Sequence, residues 1–243
     1  MSEPFVRAEW RHLAMLNYAV ERSLLTSLVP RGTELDEWRG RTYVSMVGFL
    51  FLDTRVLGVP IPFHGRFEEV NLRFYVRRKS GDEWRRGVVF VKELVPKVAV
   101  TLVARALYNE NYVTLPMQHE IRRSADEPRR VMSVSYRWTL DGHSNHLSVA
   151  VEAASQPLAS GSEEEFITEH YWGYTRQRDG GTSEYNVQHP RWRVATAART
   201  ELDCDVSRLY GPAFVEPLRA RPVSAFLADG SEVTVSRGAR LTG

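Results

Sequence analysis

Phe67-Glu68-Glu69-Val70-Asn71-Leu72-Arg73-Phe74-Tyr75-Val76 is where the chain's architecture can be read most directly. Side chains alternate across a strand, so Val70, Leu72, Phe74 and Val76 fall on one face and Glu69, Asn71, Arg73 and Tyr75 on the other. One face is wholly apolar. The other carries a carboxylate, an amide, a guanidinium and a phenol. If the strand lines a barrel, the apolar face meets an outer core and the polar face meets the lumen. A turn at Ser80-Gly81-Asp82 leads to a second strand over residues 84–95, closed by Pro96, and the short connection predicts an adjacent antiparallel pair. In that second strand Lys92 is in phase with Val88 and Phe90, which sets Glu93 on the opposite face.

Working outward, residues 41–52 are apolar on both faces, as in a strand covered on both sides. Residues 13–20 fit either a strand or a helix. Residues 21–29 read as a helix with Leu24, Leu25 and Leu28 on one face, stopped by Pro30-Arg31-Gly32. Residues 97–108 read as another helix. Ser162 with Glu165 forms a capping box that starts a short helix carrying Phe166 and Ile167. Hairpins are predicted for 130–140 with 146–153 across Asp141-Gly142, and for 171–176 with 184–188 around Asp179-Gly180-Gly181. A third is predicted for 222–227 with 232–235 across Asp229-Gly230, and residues 192–198 alternate as a further strand. Many strands with a few short helices make a mainly β (α+β) chain, a closed or strongly curved antiparallel barrel or cone.

The 243 residues suit one β-rich domain over 1–243 with a sizeable core. The apolar fraction of 43% and charged fraction of 26% are ordinary globular values, which argues against disorder of the whole chain. The single cysteine, Cys204, allows no internal disulfide and fits a reducing compartment. No apolar run approaches the ~20 residues of a membrane span; the longest, 44–52, is interrupted by Ser45 and Gly48. The first residues lack a basic-then-apolar leader. A cytoplasmic protein without a membrane partner is expected. The net charge of +2 is small and the basic residues are scattered, with Arg77-Arg78-Lys79 approaching a turn, so nucleic acid is not an expected partner. Nothing specifies an oligomeric state. The 29 arginines face only three lysines, Lys79, Lys92 and Lys97, so any Schiff-base chemistry has three candidate amines.

The order of several segments resembles the YqjF-like family, domain of unknown function 2071. These are 67–76, Gly87-Val88-Val89-Phe90, Glu93-Leu94-Val95-Pro96 and Ala104-Arg105-Ala106-Leu107-Tyr108-Asn109-Glu110-Asn111-Tyr112. Leu28-Val29-Pro30, Tyr43-Val44-Ser45, Glu169-His170-Tyr171 and His189-Pro190-Arg191-Trp192 fit it too. That family is related to acetoacetate decarboxylase, so the resemblance implies a β-barrel or cone of that type enclosing a pocket. Its relatives of known chemistry form a Schiff base from a lysine in a Gly-Arg-Glu-(apolar)-x-x-x-Pro-Lys-Lys segment. Here Arg105 matches the arginine, Ala106 replaces the glutamate, Tyr112 replaces the nucleophilic lysine and Val113 the second lysine. Without the amine no iminium forms to accept the electrons released with carbon dioxide, so the fold carries over and the decarboxylase chemistry does not.

Several residues remain as candidates for a ligand site. Glu69, Asn71 and Arg73 would be costly in a lumen unless paired. Three readings stay open: they pair with one another, Arg73 serves a ligand carboxylate or carbonyl, or the face is ordinary surface. Tyr75 shares that face. Lys92 either acts as an amine with a depressed pKa or snorkels to water. His64, between Pro62-Phe63 and Gly65, sits on a loop near the barrel mouth. Arg105 and Tyr112 enter through the family resemblance. His143 and His146 are spaced H-x-x-H but flank a turn, and the zinc pattern H-E-x-x-H is absent, so no metal is expected. His189 before Pro190 and Trp192 reads as a packed corner or a pocket rim. No nucleophile elbow, P-loop or dinucleotide fingerprint occurs, and no cofactor is expected. Cys204 lies between Asp203 and Asp205, which disfavours a thiolate. Two functions fit. One is a small-molecule-binding barrel for an acidic or carbonyl-containing organic ligand. The other is a diverged lyase- or hydrolase-like enzyme acting on a keto acid or related carbonyl compound, using Tyr112, Arg105 or Glu69 for proton transfer, or Lys92 as a displaced amine.

Overall fold

The computed structural model describes residues 4–61, 63–98, 101 and 109–241. Four long strands, β1 (Val6–Val20), β2 (Thr42–Val56), β3 (Phe67–Ser80) and β4 (Glu83–Val95), pair antiparallel in succession. The short β5 (Tyr112–Thr114) returns parallel to β4. Next come β6 (Met117–Arg123), β7 (Val131–Leu140) and β8 (His143–Ala150), then β9 (Trp172–Arg176) and β10 (Thr182–Gln188). The series ends with β11 (Arg193–Thr196), β12 (Arg199–Asp203) and β13 (Ser224–Val235). Strand β9 joins β4 in parallel, β10 pairs with β9, and β13 pairs with both β10 and β1. The ladder therefore runs β13-β1-β2-β3-β4-β9-β10 and returns to β13, a strongly curved, ring-like sheet. A second, four-stranded sheet has the order β12-β8-β7-β6.

The alternation in β3 assigns the two layers. Its apolar face, Val70, Leu72, Phe74 and Val76, is fully buried in one core with Val134, Tyr136, Trp138, Leu147 and Val149 of the second sheet. Each such side chain contributes roughly 1.5–3 kcal/mol by leaving water. The opposite faces of the ring strands form a second core that includes Leu13, Met15, Tyr43, Phe49 and Tyr75. Helix α1 (Arg22–Thr26) follows β1, and α2 (Glu163–Thr168) brings Phe166 and Ile167 into the second core. Ser162 caps α2 by accepting from the Glu165 amide at 3.1 Å, and the Glu165 carboxylate reaches back to the Gly161 amide at 2.6 Å.

One open reading is resolved and two expectations need revision. Residues 13–20, ambiguous by pattern, are strand within β1. The helix over 21–29 is confined to Arg22–Thr26. The third hairpin does not form, because β13 runs unbroken through Asp229-Gly230 while pairing with β1. Gly230 serves that long strand instead of a turn: its φ is +77°, and a Cβ there would lie 1.9 Å from the Trp10 carbonyl oxygen. Of the helix over 97–108, Thr101 donates its amide to Lys97 at 3.2 Å, and residues 99–100 and 102–108 lie outside the described residues. No helix among the described residues is long and apolar enough to cross a membrane.

Candidate functional site

Inside the ring lies a cavity of about 210 Å³. Aromatic residues make much of its wall: Trp10 from β1, Phe49 and Phe51 from β2, Phe67 from β3, and Trp192. Phe51 stacks on Phe67 at 4.6 Å between ring centres, and Trp10 packs on Phe49 at 5.2 Å. The polar groups come from β3, from β4 and from the 110–112 stretch. Glu69, Asn71 and Arg73 are 2%, 1% and 8% exposed, which removes the surface reading.

A β-bulge decides which residues of β4 join them. Asn71 pairs with Glu93 and Leu72 with Lys92, but Arg73 pairs with Phe90, leaving Val91 as the extra residue. The alternation slips by one there. Val88, Phe90 and Glu93 all line the cavity, while Lys92 turns to the opposite face with Leu72. This reverses the expected phase of Lys92 and Glu93.

Three carboxyls thus meet in one buried cluster: Glu69, Glu93 and Glu110. Glu69 accepts from Asn71 Nδ2 at 2.9 Å and from the Tyr112 hydroxyl at 3.2 Å. Glu110 accepts from the Tyr185 hydroxyl at 3.0 Å and from Thr175. The Tyr185 ring packs over Gly173, where a Cβ would come 2.1 Å from the ring, so the glycine gives the phenol its place beside Glu110. Burial pushes the Glu69 carboxyl up to about 7, against the bonds from Asn71 and Tyr112 and the charge of Arg73. Burial does the same to Glu110, against its bonds from Thr175 and Tyr185. Glu93 is raised well above the ordinary range by burial and then by Glu110 and Glu69. The cluster is therefore a reservoir of protons at neutral pH rather than three full negative charges. Burial, followed by Glu69 and Glu93, raises the Tyr112 phenol as well.

Arg73 and His170 stand near this cluster with less support. Arg73 donates one long bond, 3.5 Å, to the Ile167 carbonyl, and its Nε is buried without a partner. Among the described residues no carboxylate lies within the 4.0 Å of an ion pair with it. His170 lines the cavity and bonds through Nε2 to Asp36 at 3.1 Å, while its Nδ1 is buried and unpartnered. Among the described residues no three His, Cys, Asp or Glu side chains come together as a metal site.

A family model for DUF2071, described as an uncharacterized conserved protein, matches residues 7–232. The chain belongs to the DUF2071 family. It is 28% identical over 199 residues to the uncharacterized protein YqjF of Bacillus subtilis (strain 168), covering 79% of this chain and 76% of that protein. Its fold is that of the acetoacetate decarboxylase group. The acetoacetate decarboxylase of Legionella pneumophila superposes with a TM-score of 0.66 at 14% identity, over 99% of this chain and 88% of that one. An acetoacetate decarboxylase-like enzyme from Sphingomonas wittichii RW1 gives 0.68 at 12% identity, over 100% and 95%. The enduracididine biosynthesis enzyme MppR complexed with pyruvate gives 0.66 at 12% identity, over 100% and 92%.

Of the residues singled out from sequence in this DUF2071 protein, Glu69, Asn71, Arg73, Tyr112 and His64 line the one cavity. Tyr75 shares their strand face but lies beyond it, with its hydroxyl 2.6 Å from Ser45 Oγ and its ring against Phe166. Lys92 faces away, and Arg105 lies outside the described residues. His189 stacks on Trp192 at 4.0 Å and also lines the cavity. His146 sits 3.4 Å from Glu201, and the Cys204 thiol is pushed up to about 12 by burial and then by Asp205 and Asp203. Sequence reasoning missed Glu93, Glu110, His170 and Tyr185. A carboxylate in the apolar run 88–95 was the available signal for Glu93, but strict alternation turned it outward. His170 stood in a quoted motif, and its partner Asp36 is 134 residues away.

Proposed function

We propose that this DUF2071 protein binds, inside its ring, a small organic molecule carrying an acidic or carbonyl group. The observation that carries the reading is Arg73, a permanently charged guanidinium that is 8% exposed and without an acidic partner among the described residues. A buried charge left in that state is costly. A carboxylate or carbonyl on a ligand matches the guanidinium fork and would supply the missing partner. The aromatic walls suit an apolar body attached to that group. The fold neighbours include an acetoacetate decarboxylase and an enzyme complexed with pyruvate, and both compounds place a carboxylate near a carbonyl. The test is a thermal-shift screen with small carboxylic acids on wild type and Arg73→Ala. At least one acid should raise the wild-type melting temperature. The variant should fold with a melting temperature close to wild type and lose the response. A wild type that no acid stabilises overturns the reading.

A second reading, an enzyme acting on a keto acid or related carbonyl compound, is favoured by the carboxyl cluster. Two carboxyls held near 7 beside a tyrosine are placed to give and take protons at neutral pH. It would work without an iminium, since Lys92 is turned away. Turnover of 2-oxo and 3-oxo acids followed by NMR, lost in Glu69→Gln, would support it; binding without turnover leaves the first reading.

A further inference from the structure

Two bulky apolar residues stand in water on backbone that disfavours them. Arg55 pairs with Pro60 and Val56 with Val59, so Leu57-Gly58 forms a two-residue hairpin turn, with φ of +49° and +75°. A turn with both central residues left-handed takes Asn-Gly or Asp-Gly by preference. Here its first place holds a leucine, 53% exposed. Phe63 repeats the anomaly, with a φ of +63° and 92% exposure. Neither side chain is buried to offset the strained backbone, and asparagine would fit both places better. With Val59 they make up three of the six large apolar side chains exposed among the described residues.

The charge around them has one sign. Residues 55–66 contain no aspartate or glutamate. Thr54 donates its amide to the Gly65 carbonyl at 3.3 Å, which brings the two ends of this stretch together with Arg55 and Arg66 at its neck. Across the β1–β2 ladder Arg55 lies directly opposite Arg7, a like-charge pairing that costs stability. Among the described residues no carboxylate forms an ion pair with Arg7, Arg55 or Arg66. Of the acids nearby in sequence, Glu9 is taken by Arg11 and Glu68 by His119, and Asp53 pairs with none of the three arginines. On its inner side the same stretch walls the cavity through Val56, Ile61 and His64.

We infer that the protein docks here on an anionic lipid surface, with Leu57, Val59 and Phe63 among the acyl chains and Arg7, Arg55 and Arg66 at the headgroup phosphates. A lipid interface takes both features at once. Single apolar side chains leave water there without needing a shaped pocket, and the guanidinium groups beside them meet phosphate. A second copy of the chain fits less well, because a two-fold contact through this surface would set the arginines against their own copies. A stable protein partner needs roughly 1,200 Å² or more of buried surface, whereas the apolar groups offered here are three side chains. Docking on a surface requires no spanning segment, so the lack of one, the ground for expecting no membrane partner, does not weigh against it. The inference goes beyond the Arg73 reading and does not need it. It adds that the cavity wall formed by Val56, Ile61 and His64 rests at the lipid surface.

Co-sedimentation with large vesicles tests this, using phosphatidylcholine alone and equal parts of phosphatidylcholine and phosphatidylglycerol. Wild type should bind the mixed vesicles at least about tenfold more tightly than the neutral ones, since each arginine at an anionic surface is worth about fivefold. That binding should weaken as salt rises. The double variant Leu57→Asn, Phe63→Asn removes the apolar tips and puts at both places a residue that accepts the left-handed backbone. Its melting temperature should equal or exceed that of wild type, and its affinity for mixed vesicles should fall at least about tenfold. Arg55→Gln with Arg66→Gln should lower that affinity by about tenfold or more. No binding to mixed vesicles, equal binding to both compositions, or binding unchanged in the asparagine variant would each overturn the inference. A fall in that variant's melting temperature would show that the two side chains serve the fold and would overturn it too. So would a wild-type dimer that the same variant abolishes, which would assign the surface to a second copy. The assay contains no small carboxylic acid, so its failure leaves the Arg73 reading standing.

Discussion

The unpaired Val91 in β4 turns Lys92 out of the ring and Glu93 into it. Burial lowers the Lys92 amine, yet an amine facing Leu72 has no access to a ligand in the cavity. At the position where the resemblance sets a nucleophilic lysine stands Tyr112, whose hydroxyl donates to Glu69 at 3.2 Å. Incubation with acetoacetate and borohydride should therefore leave the mass of the intact protein unchanged; an added mass mapped to Lys92 would refute this. The polar trio divides by role. Asn71 supports Glu69 through a 2.9 Å bond, so mutual pairing describes those two, while Arg73 is left over. Alternation along β3 was enough to group the three. It could not say which of them lacked a partner, because the partners that matter for Glu69 and His170 arrive from residues 112 and 36.

At the scale of elements, β13 shows how a turn signal can mislead. Asp229-Gly230 has the composition of a hairpin turn, but β1 offers a continuous ladder and the glycine lets β13 follow it past Trp10. Gly230→Val would force a Cβ to within 1.9 Å of a backbone oxygen at a φ of +77°, so both strands would have to part locally. The expected loss is about 2–4 kcal/mol, read as a fall of roughly 5–15 °C in melting temperature. A melting curve that matches wild type would show that β1 and β13 do not depend on this close approach. The hairpins β3–β4, β7–β8 and β9–β10 were legible because each joins neighbours in sequence through a short connection.

For the whole molecule, the buried titratable groups act in opposite directions with pH. Glu69 has an ordinary value of 4.5 and is raised by burial to about 7, so the folded state holds an extra proton between those limits. Its contribution to stability is complete below about 4.5 and is lost as pH rises through 7. His170 and His12 have ordinary values of 6.5 and are held down to about 4, chiefly by burial, so they weaken the fold as pH falls through that window. The wild-type stability curve sums these effects. Glu69→Gln removes the first and also eases Glu93 and Glu110, whose carboxyls Glu69 helps to raise. The stability of this variant relative to wild type should climb between pH 4.5 and 7, by on the order of 2–3 kcal/mol. Paired denaturant titrations across that range would show it, and a pH-independent difference would mean that Glu69 does not hold its proton in the fold.

What the sequence determined by itself was local in origin. The two-residue period separated the faces of β3, the turn residues joined neighbouring strands, and Ser162 with Glu165 started α2. The resemblance of ordered segments added the family. The tertiary structure decided the rest: the closure of the ladder from β10 to β13, the bulge that exchanges Lys92 for Glu93, the meeting of Glu69, Glu93 and Glu110, and the hold of Asp36 on His170. These depend on contacts between residues far apart in the chain. Whether a buried charge ends up paired or unpaired depends on the assembled surroundings, to which no short pattern of residues has access.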